Sequence, residues 1–517
     1  MSARRPLSFG KKRERMSKDH LGAAALSQQL FSLENLYRAY RRCRRRKRNT
    51  VNALRFEQNL EENLVALHEE LSAGTYRPGR SVAFLLEKPK RREIFAADFR
   101  DRVVHHVLVG YLEPRWERRF IHDSYACRPG KGTHAGVERL QSFTRQVTAN
   151  GTRRAWYLQL DVRAFFNSID REILYARLAA KEDDPALLGF IRTLVFYDPT
   201  AHCILRRAHP SDFEQLPVHK TLFKAAPGCG LPIGNLTSQF FANVYLDALD
   251  QFVKHHLKAH YYVRYCDDLV LLSTDRAELA AWEVEIEAFL SRTLHLALNE
   301  RRRLRPVSDG IDFLGYIVRP DYLLVRRRVV SACYERLDRA EKALIQQGLT
   351  LDERPVYPWH WPTLVAVYRW LNAYLAHVRH AASQRLVARL WQRFPWLDEY
   401  YRRVGERVVY TFPPPRPALR LDQQKAQFSS RLPGHVLVAQ LGSWCELWGG
   451  NPAYPLSEAE RRLPRSRLLV VARQLKASGV PVAWIAQTGR RVTSISERAL
   501  VLRWPGVAGL ESGYVAD

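Results

Sequence analysis

The stretch "YVRYCDDLVLLS" (Tyr262–Ser273) sets two adjacent aspartates, Asp267 and Asp268, inside an apolar run. Neighbouring carboxylates repel, and burying an ionised carboxylate is costly unless something neutralises it. The run reads as two strands, "YYVRYC" and "LVLLS", joined by a tight turn that carries the acids. Asp is also common in ordinary solvated turns, so the dipeptide alone decides nothing. Its surroundings do. Upstream, "WYLQLD" reads as a strand ending on a third acid, Asp161, and the helical segment "REILYARLAA" follows. Apolar strands would deliver the three carboxylates to one sheet edge, where a pair of divalent ions could bridge them. Mg2+ suits such a place, because it takes few carboxylates and completes its shell with water and phosphate oxygens.

The rest of the chain fits a large polyanion-binding protein. Its 517 residues suggest several folding units, and 46% hydrophobic content is that of a globular chain. Formal charge is +28, from 81 basic and 53 acidic residues. The excess is clustered: residues 1–50 hold 15 Lys/Arg against 3 acids, including "RRCRRRKR" at Arg41–Arg48. Nucleic acid is the usual partner of such a charge. The seven cysteines are scattered with no C-x-x-C pair, which argues against zinc and against a disulfide framework. With no long apolar run and no secretory signal at the N-terminus, the expectation is a soluble protein of a reducing, prokaryotic cytoplasm without membrane contact.

Periodicity divides the chain further. Residues 1–30 read as a flexible basic arm, and a helical segment runs from Leu30 to about Leu71. A strand (SVAFLL), a basic turn and the helix "RDRVVHHVLVGYLEPRW" follow, then the helix around 235–257, the helix "RAELAAWEVEIEAFLSRT" and the strand "DFLGYIV". Residues 328–400 read as mostly helical. "TFPPPRPALRL" (Thr411–Leu421) is the best linker candidate, and beyond it lies a segment with its own strand and helix signals.

Read in order, "LDVRAFFNSID", "GLPIGNLTSQFFANVYLDALD", "YVRYCDD" and "DFLGY" resemble the palm of reverse transcriptases, with its Y-x-D-D box. With "KPKRREIFAADFRDRVVHH" and "SYACRPGKGTHAG", the resemblance covers about residues 35–400. It implies an α+β right-hand polymerase: N-terminal helices and fingers (31–150), a palm with a ferredoxin-like antiparallel sheet (151–325) and a helical thumb (326–408). A Pro-rich linker (409–421) and a small α/β domain (422–517) would follow. Asp161 and Asp267 would be the main ligands of two Mg2+ ions, with Mn2+ as a substitute, Asp268 alongside and the Val162 carbonyl as a further ligand. Such ions activate a hydroxyl and stabilise leaving pyrophosphate. Phe166 would exclude a ribose 2′-OH; an ordinary core aromatic is the plainer alternative. Lys90 and Arg92 would hold the triphosphate or, more plainly, be two surface cations. Gly234 would let the backbone approach nucleotide and template. Phe313, Leu314, Gly315 and Tyr316 would form the primer grip.

Group II intron enzymes typically read Q-G-x-x-x-S-P at the nucleotide-pocket helix; here it is I-G-N-L-T-S-Q, Ile233 to Gln239. This resembles the reverse transcriptases of diversity-generating retroelements, which copy template RNA with errors opposite adenine. A branched Ile cannot make the hydrogen bond that Gln can, a physical route to low fidelity. "HVLVAQLGSWCELWGGNP" resembles the start of the MutS mismatch-recognition domain. There Trp444 and Glu446 would reach a base, and Arg490 and Arg491 would meet phosphate; a small core with a buried Trp is the alternative. The implied partners are template RNA, cDNA and its RNA hybrid, dNTPs and the small basic accessory protein that such enzymes often need. An antiphage-defence or other retroelement enzyme, and a non-catalytic nucleic-acid scaffold, stay open as alternatives.

Overall fold

The computed structural model describes residues 23–45, 50–87, 91–206, 209–346, 349–351, 354–356, 359–412, 414, 420–448, 462–464, 467–492 and 495–504. The chain divides into two compact units, residues 1–311 and 312–517. The basic arm and Lys90 lie outside the described residues, apart from the start of the first helix.

The first unit opens with four helices: α1 (Ala23–Phe31), α2 (Leu33–Arg44), α3 (Val51–Gln58) and α4 (Leu60–Ser72). The sequence suggested one helical segment here. Ser32 breaks it by capping α2, its Oγ accepting from the Asn35 amide at 3.4 Å. α2 buries Leu36, Ala39, Tyr40 and Cys43 and leaves Arg38, Arg41 and Arg42 exposed. Next come the antiparallel pair β1 (Val82–Leu86) and β2 (Arg92–Ala96), then α5 (Phe99–Trp116), capped by Asp98, and α6 (Thr133–Val147).

The central sheet uses β3 (Trp156–Asp161). It is followed by α7 (Phe165–Ser168), α8 (Arg171–Ala179), α9 (Pro185–Val195), β4 (Ile204–Leu205, parallel to β1), α10 (Pro210–Glu214) and α11 (Leu236–Gln251). A wider helical turn, Phe252–His256, continues α11. Then come β5 (Tyr261–Tyr265), β6 (Asp268–Ser273), α12 (Arg276–Leu294) and β7 (Arg303–Pro306). The order is β5-β6-β3-β7, antiparallel throughout. Leu269 to Leu272 are all buried, so β6 is covered on both faces. That explains why its sequence is a continuous apolar run rather than an alternation.

The second unit begins within β8 (Ile311–Phe313), which joins β9 (Tyr316–Val318) and β10 (Leu323–Val325) in one sheet. α13 (Arg327–Gln346) follows, then the hairpin β11 (Leu349–Leu351) and β12 (Arg354–Val356). α14 (Trp361–Val378), α15 (Gln384–Arg393) and α16 (Leu397–Tyr400) lead to a second hairpin, β13 (Tyr401–Val404) and β14 (Arg407–Tyr410). α17 (Leu421–Arg431) starts on the last residue of the expected linker. The final sheet comprises β15 (Val436–Leu441), β16 (Trp444–Trp448), β17 (Arg462–Pro464), β18 (Val482–Val492) and β19 (Ile495–Trp504), with α18 (Leu468–Ala477) between β17 and β18. Its order is β17-β16-β15-β18-β19.

One expectation changes here. "DFLGYIV" is not one strand but two, because Leu314 (φ 48°) and Gly315 (φ 95°) turn the chain through left-handed backbone. The segment after the linker has a small core of its own, formed by Val436, Val438, Cys445, Leu447, Leu475, Val480 and Val482, and it adds other residues to a second core. Leu437, Ala483 and Leu500 share one cluster with Trp359, Leu364 and Leu371, and the Trp361 indole N–H donates to the Leu500 carbonyl at 3.2 Å. Phe412 stacks on Phe428 with centroids 5.6 Å apart. Buried aromatics therefore join α14 and α17 to the last sheet within one unit. Among the described residues no helix is long and apolar enough to cross a membrane.

Candidate active site

In the first unit the register of β3 against β6 sets Asp161 directly opposite Asp268. Asp267 stands one residue earlier, on the β5–β6 turn, and its carbonyl accepts the Val162 amide at 3.3 Å. The turn is tight because Cys266 adopts φ 55°, an uncommon conformation for a residue with a side chain. Asn299 grips Asp161 twice: its amide N–H donates to the Asp161 carbonyl at 2.7 Å, and its Nδ2 donates to Oδ2 at 3.1 Å. The three carboxylates stay half-buried, whereas Val162 is buried.

The electrostatics follow from that placement. Burial first, and then the negative charge of Asp161, push the Asp267 carboxyl above the usual carboxylate range; the Arg92 guanidinium pulls it back in part. Arg92 is exposed at the start of β2, and its charge acts on this carboxylate. Among the described residues no three His, Cys, Asp or Glu side chains converge as a metal cage.

Sequence reasoning missed what holds the turn. Arg264 and Asp250 are both 0% exposed and form an ion pair at 2.6 Å. Tyr262 Oη donates to Asp250 at 2.8 Å, and Arg264 Nη1 donates to Asn243 Oδ1 at 3.2 Å and to the Cys266 carbonyl at 3.1 Å. Burial alone would lower the Arg264 pKa, but the charge and hydrogen bonds of Asp250 raise it. The guanidinium thus fixes the backbone immediately before Asp267. A signal was present: Asn243, Asp247 and Asp250 recur on one side of an otherwise apolar α11.

Phe166 lies partly buried on α7 against Phe165, with ring centroids 5.3 Å apart, and the Phe166 carbonyl accepts the Leu231 amide at 2.7 Å. The Ile233 carbonyl accepts the Phe95 amide at 2.8 Å, so the loop before α11 is stitched to β2. Gly234 has φ 125°, and a Cβ there would stand 2.7 Å from the Phe95 carbonyl oxygen. The close approach that requires glycine is therefore to β2 of the protein itself. Ile233 is half-buried, and Gln239 is exposed on α11.

In the second unit, Phe313 and Tyr316 are buried while Leu314 and Gly315 form the turn between β8 and β9. Tyr316 Oη donates to the His377 carbonyl at 2.6 Å, and a Cβ on Gly315 would meet the His377 ring at 3.2 Å. Trp444 is 55% exposed at the start of β16, so it is not the buried core residue of the plainer alternative. Glu446 is half-buried and pairs with Ala439 and Arg462. Arg490 and Arg491 lie on β18, with side chains outside the described residues.

Residues 86–318 match the family model described as "Reverse transcriptase (RNA-dependent DNA polymerase)". The chain is 25% identical to Protein YkfC of Escherichia coli over 318 residues, which is 54% of this chain and 78% of that one. It is also 25% identical to the group II intron-encoded protein LtrA of Lactococcus lactis over 196 residues, 37% of this chain and 28% of LtrA. A telomerase structure from Candida albicans, in complex with a fragment of telomeric RNA, aligns with TM-score 0.37 and 10% identity over 63% of this chain and 56% of that one.

Proposed function

We propose that this chain, an RNA-directed DNA polymerase by its reverse transcriptase domain, copies a retroelement's template RNA into cDNA. The observation that carries this reading is the placement of Asp161 opposite Asp268 on the central sheet, with Asp267 on the adjoining turn. Mg2+ ordinarily takes one or two carboxylates plus water and phosphate oxygens, so a full protein cage is not required. The raised Asp267 carboxyl fits a cation as well, because a positive charge would relieve its repulsion with Asp161. Asp161, Asp267 and the Val162 carbonyl would hold two Mg2+ ions, or Mn2+, with Asp268 beside them. When bound, the ions activate the primer hydroxyl and offset the charge of departing pyrophosphate.

The chain's own residues would do the rest. Arg92, joined by Lys90, would hold the triphosphate through charge-assisted bonds. Phe166 would crowd the sugar and exclude a 2′-OH, with Ile233, Gly234 and Gln239 shaping the adjoining pocket. Phe313 to Tyr316 would hold the primer end, and the cationic α13 and α15 would follow the nucleic-acid backbone. The exposed Trp444 would stack on a base, in keeping with a MutS-like role for the last sheet.

Two kinds of retroelement have support. The motif Ile233–Gln239 favours a diversity-generating element, in which Ile233 lowers fidelity opposite adenine. The likeness to LtrA favours an intron-type element. Sequencing cDNA made by the wild type and by Ile233→Gln separates them. The diversity-generating reading expects frequent errors opposite template adenine in the wild type, reduced in the variant. A wild type that copies adenine as faithfully as the other bases removes that reading and leaves the intron type.

A further inference from the structure

Arg171 opens α8 and is only 6% exposed, yet among the described residues no salt bridge to it is recorded. Its Nε donates to the Gly230 carbonyl at 2.8 Å, and its Nη1 donates to the Phe196 carbonyl at 3.4 Å. Its own amide donates to the Gly228 carbonyl at 3.0 Å. A buried guanidinium satisfied by carbonyls is a costly way to fill space, since an apolar side chain of similar volume would avoid the desolvation.

What the guanidinium holds is specific. Gly230 N–H donates to the Ile169 carbonyl at 2.8 Å, and Leu231 N–H donates to the Phe166 carbonyl at 2.7 Å. Asp170 pairs with Cys229 between these contacts. Segment 166–171 and loop 228–231 are therefore strapped together along their length. The fit is close: Gly230 has φ 93°, and a Cβ there would fall 2.5 Å from Leu222 Cδ1 and 3.3 Å from the Asn167 carbonyl oxygen. One end of the strap carries Phe166, and the other runs two residues on to Ile233.

We propose that Arg171 is a positioning residue for sugar selection, setting the separation between Phe166 and the Ile233–Gly234 turn through its bond to Gly230. This rests on the polymerase reading above. Loss of the bond frees the loop to retreat from Phe166, so a ribonucleotide gains room that a deoxynucleotide does not need.

The test measures kcat/KM for a dNTP and for its matching ribonucleotide on one RNA template. It uses the full chain, Arg171→Met, Arg171→Lys and, as reference, Phe166→Ala. Arg171→Met is expected to lower the preference for the dNTP about tenfold, chiefly by lowering the KM of the ribonucleotide. Arg171→Lys, which keeps the charge and one donor to Gly230, recovers part of the preference. A purely structural role would lower both substrates alike and leave the ratio unmoved. If Arg171→Met does not fold, Arg171→Lys answers the question: a preference below the wild type supports the proposal, and an unchanged one overturns it. A discriminating wild type whose Arg171→Met form discriminates equally removes this inference alone. A wild type that extends no primer removes the polymerase reading and this inference with it.

Discussion

Asp267 holds its proton more tightly than an ordinary carboxylate, because it is buried and faces Asp161. Between the ordinary carboxylate pKa and the raised value, the folded chain keeps a proton that the unfolded chain has released. Stability without metal therefore falls as pH climbs through that window and levels off above it. Asp267→Asn removes this slope. In metal-free buffer the variant is expected to melt above the wild type at neutral pH, the gap closing as pH drops toward the ordinary value. Thermal melts across pH check this, and a variant that melts lower at neutral pH contradicts it. At this scale the sequence was informative where chemistry is local: three acids ending or joining apolar strands announce themselves. Gly234 was also legible as a close approach, but not the partner it approaches, since Phe95 lies far off in the chain.

At the scale of elements, the β5–β6 turn depends on α11 as much as on its own strands. Asp250 on α11 reaches Arg264 on β5, and Arg264 reaches the carbonyl before Asp267. Asp250→Ala would leave a fully buried guanidinium without its carboxylate. The expected loss is about 3–5 kcal/mol of stability, read by urea denaturation, together with a fall in activity. A loss under about 1 kcal/mol would mean that the pair does not support the turn. Strands and helices with strong apolar patterns, such as β3, β6 and α12, were readable from sequence. The hairpins β11–β12 and β13–β14 were not: their strands are only three or four residues long and flanked by helices, so periodicity has too few residues to register. The split of β8 from β9 was legible only through the likeness of Phe313–Tyr316 to a primer grip, an apolar turn, since a left-handed Leu314 leaves no mark on composition.

Across the whole molecule, one shared core spans the proline-rich stretch. "TFPPPRPALRL" looks like a linker, yet Phe412 just inside it stacks on Phe428 beyond it. Composition reports stiffness but not which surfaces meet. The charge of +28 acts at this scale too. Binding to single-stranded RNA of unrelated sequence is expected to weaken by more than about tenfold as salt rises from roughly 50 to 200 mM. A flat salt response, measured by fluorescence anisotropy, would mean that the excess charge does not face the nucleic acid. The most direct test of the central claim is primer extension on an RNA template with and without Mg2+, in the wild type and in Asp267→Ala combined with Asp268→Ala. The structure predicts Mg2+-dependent extension by the wild type and a loss of at least about a thousandfold in the double variant. Undiminished extension by the double variant would contradict the assignment of Asp161, Asp267 and Asp268 as the polymerase centre.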